Sequence, residues 1–179
     1  MKTLLLHNCC GPCGFSTTKF LNDGFNIKYY WYNPNIQPLS EYEKRLNVAK
    51  KLFSLVVDEY NSEQWLSGIS VRGGSADLCG GKDFAEKNYK RCAECYRLRL
   101  TKTAQKSKEL KTDFFSTTLL ISPYQYHEIL KKTGEEVAKE VGANFYYYDG
   151  RRDFYKNLNE FKKLGLYTQK YCGCLFSKK

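Results

Sequence analysis

The chain has 179 residues and a net charge of +10, from 29 Lys and Arg against 19 Asp and Glu. This length is typical of one domain with a sizeable core, so we expect a single domain over residues 1–179. No stretch approaches the ~18 consecutive apolar residues of a membrane helix, and the N-terminus lacks the apolar region of a secretion signal. These features argue against membrane functions and predict a cytoplasmic protein. Its charge fits either a nucleic-acid partner or a merely basic soluble domain.

The first part of the chain predicts strands alternating with helices. The apolar run Thr3-Leu4-Leu5-Leu6 indicates a short buried strand that leads into the turn His7-Asn8-Cys9-Cys10-Gly11-Pro12-Cys13-Gly14. Glu43 lies three residues after Ser40, which is the spacing of a helix capping box. Periodicity and turn residues predict the other elements in the order helix 15–23, strand 27–32, helix 40–53, strand 55–58 and helix 62–67.

The alternation continues after an irregular stretch. Residues 70–90 show no periodicity and are interpreted as a loop or small insertion, in which Cys79 is a loop or partly buried thiol. A tail carrying Cys172-Gly173-Cys174 follows the last of the later elements, which are helix 91–110, strand 114–120, helix 126–141, strand 144–148 and helix 154–164. The pattern predicts an α/β fold with a mainly parallel sheet, helices on both faces and irregular loops that bear the cysteines.

The ends of the predicted strands point to one functional edge. In parallel sheets, ligands collect where the strands reach their carboxyl ends. Cys9 and Cys10, Asn33, Ser122 and Asp149 follow four of the predicted strands. We therefore expect these residues to share one edge of the sheet.

Seven of the eight cysteines fall into three tight groups. In a reducing compartment, such clustering indicates metal binding or catalysis more than structural disulfides. Cys92 and Cys95 lie near the start of a predicted helix, where Arg91 and the helix N-terminus favour the thiolate form. The groups are Cys9 with Cys10 and Cys13, Cys92 with Cys95, and Cys172 with Cys174.

Three kinds of chemistry fit these groups. Cys10-Gly11-Pro12-Cys13 is a motif of thioredoxin-like exchange, but that interpretation leaves five clustered cysteines without a role. A structural zinc site needs four ligands, and seven clustered thiols exceed one tetrahedral site. An iron–sulfur cluster uses the most cysteines, because the remaining thiols then bind a second metal or form a redox pair, and we favour it.

Other side chains are candidates for substrate chemistry. Residues 90–111 include eight Lys or Arg and two Glu, which form either a solvated helix face or contacts to RNA phosphates. His7 is a candidate metal ligand or proton carrier, or else a satisfied structural residue. Asp149 is a candidate hard-oxygen ligand or general acid, or else a turn residue. The tyrosines considered for stacking on bases are Tyr124, Tyr126 and Tyr171.

A set of motifs runs in order along nearly the whole chain: Leu5-Leu6-His7-Asn8-Cys9-Cys10-Gly11-Pro12-Cys13, Asn33-Pro34-Asn35-Ile36, Glu41-Tyr42 with Arg45, Arg91-Cys92-Ala93-Glu94-Cys95-Tyr96 through Arg99-Leu100, Thr117-Thr118-Leu119-Leu120-Ile121-Ser122-Pro123, and Tyr167-Thr168-Gln169-Lys170-Tyr171-Cys172-Gly173-Cys174-Leu175-Phe176-Ser177. Together they resemble the cobalamin-independent epoxyqueuosine reductases. One position departs from that family. Asp149-Gly150-Arg151 stands where the family tends to have Asp-Phe-Arg, so the aromatic side chain is missing here.

The resemblance implies a reaction, a fold and cofactors. The family reduces the epoxide on the cyclopentane ring of epoxyqueuosine to the alkene, at the wobble position of the tRNA anticodon loop, as the last step of queuosine synthesis. The implied fold is of the nucleotide-binding (HUP or Rossmann-like) type. The implied cofactors are a [4Fe–4S] cluster and an adjacent second metal ion, which we expect to be iron. The implied partners are tRNA and an electron donor.

These implications turn the candidate residues into expected roles. Metal ligands are expected among Cys9, Cys10, Cys92, Cys95, Cys172 and Cys174, and the cluster itself on Cys10, Cys92, Cys95 and Cys172. The expected catalytic residues are Cys9, His7 and Asp149. Substrate contacts are expected from Arg91, Arg97, Arg99, Arg151 and Tyr171. The alternative from another class is a zinc-stabilised RNA-binding module without redox chemistry.

Overall fold

The structure is a computed structural model that describes residues 1–73 and 84–177. Its one sheet has the strand order β3-β2-β1-β4, and all neighbouring strands are parallel. In the register, Leu4 lies between Ile27 of one neighbouring strand and Phe114 of the other. The strands are β1 (Lys2–His7), β2 (Phe25–Trp31), β3 (Leu55–Val57) and β4 (Phe114–Thr117).

Six α-helices lie within the described residues: α1 (Gly11–Leu21), α2 (Leu39–Leu52), α3 (Ser62–Gly73), α4 (Phe84–Glu109), α5 (His127–Val141) and α6 (Phe154–Lys162). Helix α1 contacts α2 and α6, whereas α4 contacts α3 and α5. Leu4, Leu5 and Leu6 are all completely buried. Because successive strand residues point to opposite faces, both faces of the sheet must be covered. The predicted α/β class with a parallel sheet is confirmed.

The strand order places a crevice beside β1. The chain leaves β1 towards β2 and β3, and later returns to form β4 on the other side of β1. In open α/β sheets, ligands bind in the crevice at this point of reversal, outside the carboxyl ends of the strands. A 3₁₀ turn, Thr118–Ile121, extends β4 at that edge. The more specific nucleotide-binding fold type remains a prediction.

The cysteine turn is the first turn of a helix. Helix α1 begins at Gly11 and not near residue 15 as predicted, because the Cys10 thiol caps it by accepting a hydrogen bond from the Cys13 N–H at 3.3 Å. Pro12 in the first turn suits a position that has no intrahelical N–H partner. At α2 the predicted capping box is wrong, since Pro38 occupies the N-cap and makes no side-chain cap.

Several other predicted elements differ from the structure. The predicted strand 144–148 is reduced to one isolated bridge between Phe145 and Phe115. Side chains take over its backbone partners: the Ser116 hydroxyl donates to the Tyr146 carbonyl oxygen at 2.7 Å, and the Tyr148 hydroxyl donates to the Thr117 carbonyl oxygen at 3.1 Å. Parts of the predicted loop 70–90 are helical, at the end of α3 and the start of α4. Cys79 lies outside the described residues.

Within residues 1–73 and 84–177, no helix has the combination of length and apolar character that crossing a membrane requires.

Candidate metal centre

The first group of thiols, here called the triad, consists of Cys9, Cys10 and Cys13. Their sulfur atoms all lie within 4.8 Å of one another, at the end of β1 and the start of α1. The helix N-terminus directs backbone N–H groups and a partial positive charge at these sulfurs, which favours thiolates. A strand end followed at once by a helix start therefore brings three thiols together from a short stretch of chain.

Hydrogen bonds differentiate the thiols of the triad. Cys9 Sγ lies 3.3 Å from the Thr118 hydroxyl, which also accepts from the Cys9 N–H at 3.2 Å. Cys10 Sγ accepts from Gln169 Nε2 at 2.8 Å in addition to its helix cap. Hydrogen bonds from the Cys10 and Cys13 thiols hold the pKa of Cys9 well below its usual range, whereas burial raises the pKa of Cys10. Cys9 is therefore the thiol of the triad most easily ionised.

The second group of thiols, the quartet, lines one small cavity. Cys92 and Cys95 face it from adjacent positions on one turn of α4, and Cys172 and Cys174 come from the C-terminal segment (residues 166–177). Burial raises the pKa of Cys92 to about 12. Loss of hydration around its sulfur raises the pKa of Cys172 to about 11, although Cys172 as a whole residue is exposed. A bound metal cation opposes this effect, because metal binding favours the deprotonated thiol.

Helix α2 holds the C-terminal segment against the cavity. The buried Arg45 guanidinium donates to the carbonyl oxygens of Tyr171 at 3.0 Å and Cys172 at 3.1 Å, and to Glu41 Oε1 at 2.7 Å. Glu41 Oε2 accepts from the Tyr167 hydroxyl at 2.7 Å. All three guanidinium nitrogens are thus hydrogen-bonded: two hold the backbone around Cys172, and the third bonds to Glu41. The role of this pair was not predicted, although Glu41 and Arg45 have the (i, i+4) spacing of a helix ion pair.

Arg99 lies between the two thiol groups. Its side chain is 1% exposed, and its Nε donates to the Cys95 carbonyl oxygen at 3.1 Å. Its charge interacts with the thiols of Cys95 and Cys172 in the quartet and of Cys9 in the triad. Among the residues that the structure describes, no carboxylate pairs with Arg99. Because a buried charge requires a compensating partner, this guanidinium favours the negatively charged thiolate form of the neighbouring cysteines.

Two N–H donors point at sulfurs of the quartet. Trp65 Nε1 donates to Cys95 Sγ at 3.2 Å, and Gln125 Nε2 donates to Cys172 Sγ at 3.9 Å. The Gln125 amide is oriented by the Tyr96 hydroxyl, which donates to its Oε1 at 2.7 Å. Such donors stabilise negatively charged sulfur, and N–H groups around iron–sulfur clusters help to set their reduction potentials.

The donor atoms fit the implied cofactors. All seven cysteines of the described chain are free thiols. Four of them converge on one cavity, which is the ligand number of a [4Fe–4S] cluster and also of tetrahedral zinc. The triad offers three further soft ligands, enough to hold one additional ion while leaving a coordination position open.

The structure gives the predicted catalytic residues different surroundings. His7 is completely buried, with Nδ1 3.0 Å from the Thr117 hydroxyl and Nε2 3.0 Å from the Tyr32 carbonyl oxygen. Burial and the Arg99 charge lower the pKa of His7 to about 4. A carbonyl oxygen only accepts, so Nε2 carries the proton and Nδ1 accepts from the threonine. Both nitrogens are occupied, which suits a structural role.

Asp149 forms a local ion pair. Its two carboxylate oxygens accept from Arg151 Nε at 2.8 Å and Nη2 at 2.5 Å. Hydrogen bonds from Arg151 lower the pKa of Asp149 to about 2. Within the described chain, the close group of potential metal ligands contains the triad and not this carboxylate. The arrangement therefore favours an ionised turn residue over a general acid.

The predicted substrate contacts are similarly engaged. Arg91 is buried with its guanidinium 4.5 Å from the centre of the Phe176 ring, and Arg97 pairs with Glu136 and with Glu140 on α5. The Tyr171 hydroxyl donates to the Gln37 carbonyl oxygen at 2.5 Å. Since Arg91 and Arg99 point into the protein, the basic stretch 90–111 is not one continuous phosphate-binding face.

Comparison with known proteins gives one consistent description. The family model for epoxyqueuosine reductase QueH matches residues 4–179. A protein of that name from Thermotoga maritima is 36% identical over 184 residues, covering 99% of this chain and 91% of that protein. Another from Dehalococcoides mccartyi is 35% identical over 182 residues, covering 98% of this chain and 92% of that protein. One from Helicobacter pylori is 31% identical over 193 residues, covering 98% of this chain and 49% of that protein.

Proposed function

This chain belongs to the epoxyqueuosine reductase QueH family, and we propose that it reduces epoxyqueuosine to queuosine at the wobble position of tRNA. The reaction consumes two electrons and two protons, converts the epoxide to an alkene and releases its oxygen as water. An electron donor must therefore supply two reducing equivalents per turnover. The proposal makes the chain an oxidoreductase of tRNA processing and places it in the cytoplasm with its substrate.

The spatial grouping of the thiols favours a specific division of labour. We assign the [4Fe–4S] cluster to the quartet, so that Cys174 replaces Cys10 among the expected cluster ligands. The triad then holds the second iron ion. When bound, the cluster supplies electrons one at a time and the second ion acts as a Lewis acid on the epoxide oxygen.

The residues of the chain prepare this site in three ways. Arg99 supplies a permanent positive charge between the two thiol groups, and Arg45 fixes the backbone that carries Cys172. Trp65 and Gln125 direct N–H groups at quartet sulfurs. The low exposure of Cys10, Cys95 and Cys174 limits the access of water to these three sulfurs, whereas Cys172 leaves the quartet open on one side. Binding, charge balance and limited access of water are thus built into the protein itself.

One observation carries the proposal: in a member of this family, all seven described cysteines gather at one edge of the sheet as two groups joined by a buried guanidinium. This arrangement supplies ligands for a cluster and an adjacent ion, which is more than a single structural zinc requires. The net charge of +10 is compatible with a tRNA substrate.

The test is anaerobic purification followed by metal and activity analysis. We expect a brown protein containing iron and sulfide that converts epoxyqueuosine in tRNA to queuosine when a strong reductant is supplied. Cys92→Ala should lose iron and sulfide together, whereas Cys13→Ala should keep the sulfide and lose about one iron. A colourless, zinc-only protein that binds RNA without reducing it would instead identify the RNA-binding module.

A further inference from the structure

Three aromatic side chains form an unusually exposed cluster on the described surface. Tyr124 is 72% exposed and Tyr155 is 57% exposed, and Phe154 lies between them. The two tyrosine hydroxyls are 3.1 Å apart, so the cluster has a defined arrangement. We call Tyr124, Phe154 and Tyr155 the aromatic platform.

The rings of the platform meet at steep angles and do not stack on one another. The Tyr124 and Phe154 rings are 6.0 Å apart at an interplanar angle of 82°, and the Phe154 and Tyr155 rings are 5.2 Å apart at 81°. These edge-to-face contacts fix the rings in place without consuming their flat faces in stacking. Flat aromatic faces held open to solvent are the surfaces on which unpaired nucleic-acid bases stack.

The platform packs against the triad and adjoins a quartet contact along the chain. Phe154 packs with Cys10, Cys13 and Ile121 at the triad. On the other side, Tyr124 is followed directly by Gln125, whose amide contacts Cys172 of the quartet. The turn that carries Tyr124 is fixed because its N–H donates to Ser122 Oγ at 3.3 Å. A molecule bound on the platform is therefore next to the site where the metals are proposed to be.

The charge around the platform suits a nucleic acid. Arg152 and Lys156 are exposed at the two ends of the segment Arg152-Asp153-Phe154-Tyr155-Lys156, in which these two cations outnumber the one half-buried carboxylate. Flexible cations beside flat rings match the alternation of phosphates and bases in an unpaired RNA strand. A protein or lipid partner would be expected to contact a broader apolar surface than these rings provide.

We infer that the aromatic platform stacks an unpaired base of the tRNA anticodon loop, beside the modified base that enters the metal centre. This inference rests on the proposed function and adds the surface that positions the RNA.

The test measures binding of an anticodon stem–loop RNA to the metal-loaded protein. Tyr124→Ala and Tyr155→Ala should each raise Kd by about 5- to 150-fold, the range found when a stacking residue is removed. Tyr155→Phe should bind like the wild type, because it keeps the ring and loses only the hydroxyl contact. Tyr155→Leu keeps an apolar packing group but should bind as weakly as Tyr155→Ala.

Phe20→Ala provides the matched control. Phe20 is 46% exposed near the far end of α1 and stacks on Tyr148, so its loss removes an exposed ring away from the metal centre. This variant should leave Kd unchanged. As a second readout, 2-aminopurine placed at each unpaired loop position should be quenched by wild-type protein at one position, and not by Tyr155→Leu.

The outcomes separate this inference from the proposed function. Wild-type protein that neither binds nor reduces the RNA would contradict the proposed function itself. Wild-type protein that binds and reduces the RNA, while Tyr124→Ala and Tyr155→Leu retain iron and bind equally well, would overturn the platform alone. Weak binding by Tyr155→Phe would also overturn it, because hydrogen bonding and not stacking would then be responsible.

Discussion

Arg99 is a buried cation whose neighbours are thiols. Its position on α4 is one turn from the buried Tyr96 and Thr103, so it belongs to the face that packs against the sheet. A permanent charge at that position favours the thiolate forms of Cys95, Cys172 and Cys9, because the buried guanidinium itself is shielded from water. With an exposure of 1%, the Arg99 guanidinium is not part of the protein surface, and its predicted contact with the substrate stays a prediction.

Replacing Arg99 should change the cluster. In Arg99→Met we expect iron and sulfide retention to fall by about half or more. Any remaining cluster should have a lower reduction potential, because the positive charge that stabilises the reduced state is gone. A shift of about 60 mV corresponds to a tenfold change for one electron. Anaerobic iron and sulfide analysis and spectroelectrochemical titration provide the measurements.

Two further variants complete this experiment. Arg99→Lys keeps the charge and should retain a potential close to that of the wild type. Lys106→Met removes a charge of the same helix that pairs with Glu109 at 2.6 Å, and should alter neither iron content nor potential. Wild-type values in Arg99→Met would show that the charge is not needed.

Gly173 has a role that a matched glycine does not share. Both Gly173 (φ +122°) and Gly165 (φ +66°) adopt backbone conformations that side chains disfavour. A Cβ at Gly173 would lie 3.0 Å from Ile36 Cγ1 and 3.2 Å from Arg45 Nη1, whereas a Cβ at Gly165 meets nothing within 4 Å. Gly173 is thus needed for both conformation and close approach to the Arg45 anchor.

We therefore expect Gly173→Ala and Gly165→Ala to differ in metal binding. Each should lose about 1–3 kcal/mol of unfolding free energy from backbone strain, measured by chemical denaturation. Gly173→Ala should in addition lose most of its iron, because the alanine displaces the backbone between two quartet thiols. Equal iron content in the two variants would show that the close approach to Arg45 is unimportant.

At the scale of elements, α2 acts as the holder of the C-terminal segment. This segment has little regular structure of its own beyond a 3₁₀ turn, Leu175–Ser177. Its position is set by the Arg45 hydrogen bonds and by the Gln37 N–H, which donates to the Gly173 carbonyl oxygen at 2.8 Å. Two of the quartet thiols therefore depend on a helix distant in sequence.

Arg45→Met alone should affect both folding and metal binding, and a second substitution at Glu41 is needed to separate the two effects. Removing one partner of a buried ion pair leaves Glu41 uncompensated and destabilises a protein by about 3–5 kcal/mol. We expect this loss together with a loss of iron. In Glu41→Gln/Arg45→Met the uncompensated charge is gone, so the unfolding free energy should recover in part while the iron content does not.

Lys44→Met is the control for these variants. Lys44 is the exposed neighbour of Arg45 on α2, so its loss should change neither unfolding free energy nor iron per chain. Full iron content in the double variant would mean that the C-terminal segment is positioned without Arg45.

Local patterns were sufficient to predict the elements that depend on local physics. The apolar run 3–6 became β1, and the stop at Gly142 became a left-handed C-cap of α5. The predicted strand 144–148 does not form a full ladder, because the hydroxyls of Ser116 and Tyr148 donate to backbone carbonyl oxygens there. These bonds join residues that are distant in sequence, so a local pattern does not predict them. The start of α1 was missed because a thiol is not a usual helix cap.

The sequence predicted which cysteines form the candidate site, but not how they divide into two groups. The seven clustered cysteines identified the site, yet their division into a triad and a quartet depends on how the C-terminal segment folds back over α2. A run of basic residues likewise cannot show by composition which face of α4 is buried. The apolar spacing of that helix contained the signal, since Arg99 lies between Tyr96 and Thr103 on its buried face.

At the scale of the molecule, the site and the proposed RNA surface occupy the same edge of the sheet. In a parallel α/β fold, helix N-termini lie at the carboxyl edge of the strands and helix C-termini at the opposite edge. The start of α6 with Arg152 and Lys156 is therefore beside the metal centre, whereas Lys50 and Lys51 at the end of α2 are on the opposite edge.

Salt dependence should distinguish these two edges. We expect log Kd for the anticodon stem–loop to rise linearly with log salt concentration. Arg152→Gln/Lys156→Gln should reduce that slope by about 0.7–0.9 for each lost phosphate contact. Lys50→Gln/Lys51→Gln, with the same change in net charge, should leave the slope unaltered. Equal effects of both pairs would indicate a diffuse attraction by net charge.

Under the proposed assignment, a cluster bound to the quartet would join α4 to the C-terminal segment through metal–thiolate bonds. While the cluster is bound, the peptide bond after the exposed Lys170 is held against the protein body and is protected from proteolytic cleavage. Loss of the cluster in air should release the segment first, so limited trypsin digestion should clip there while the α/β core stays whole. The fraction of chains cleaved at this bond would then report the fraction that had lost the cluster to oxygen.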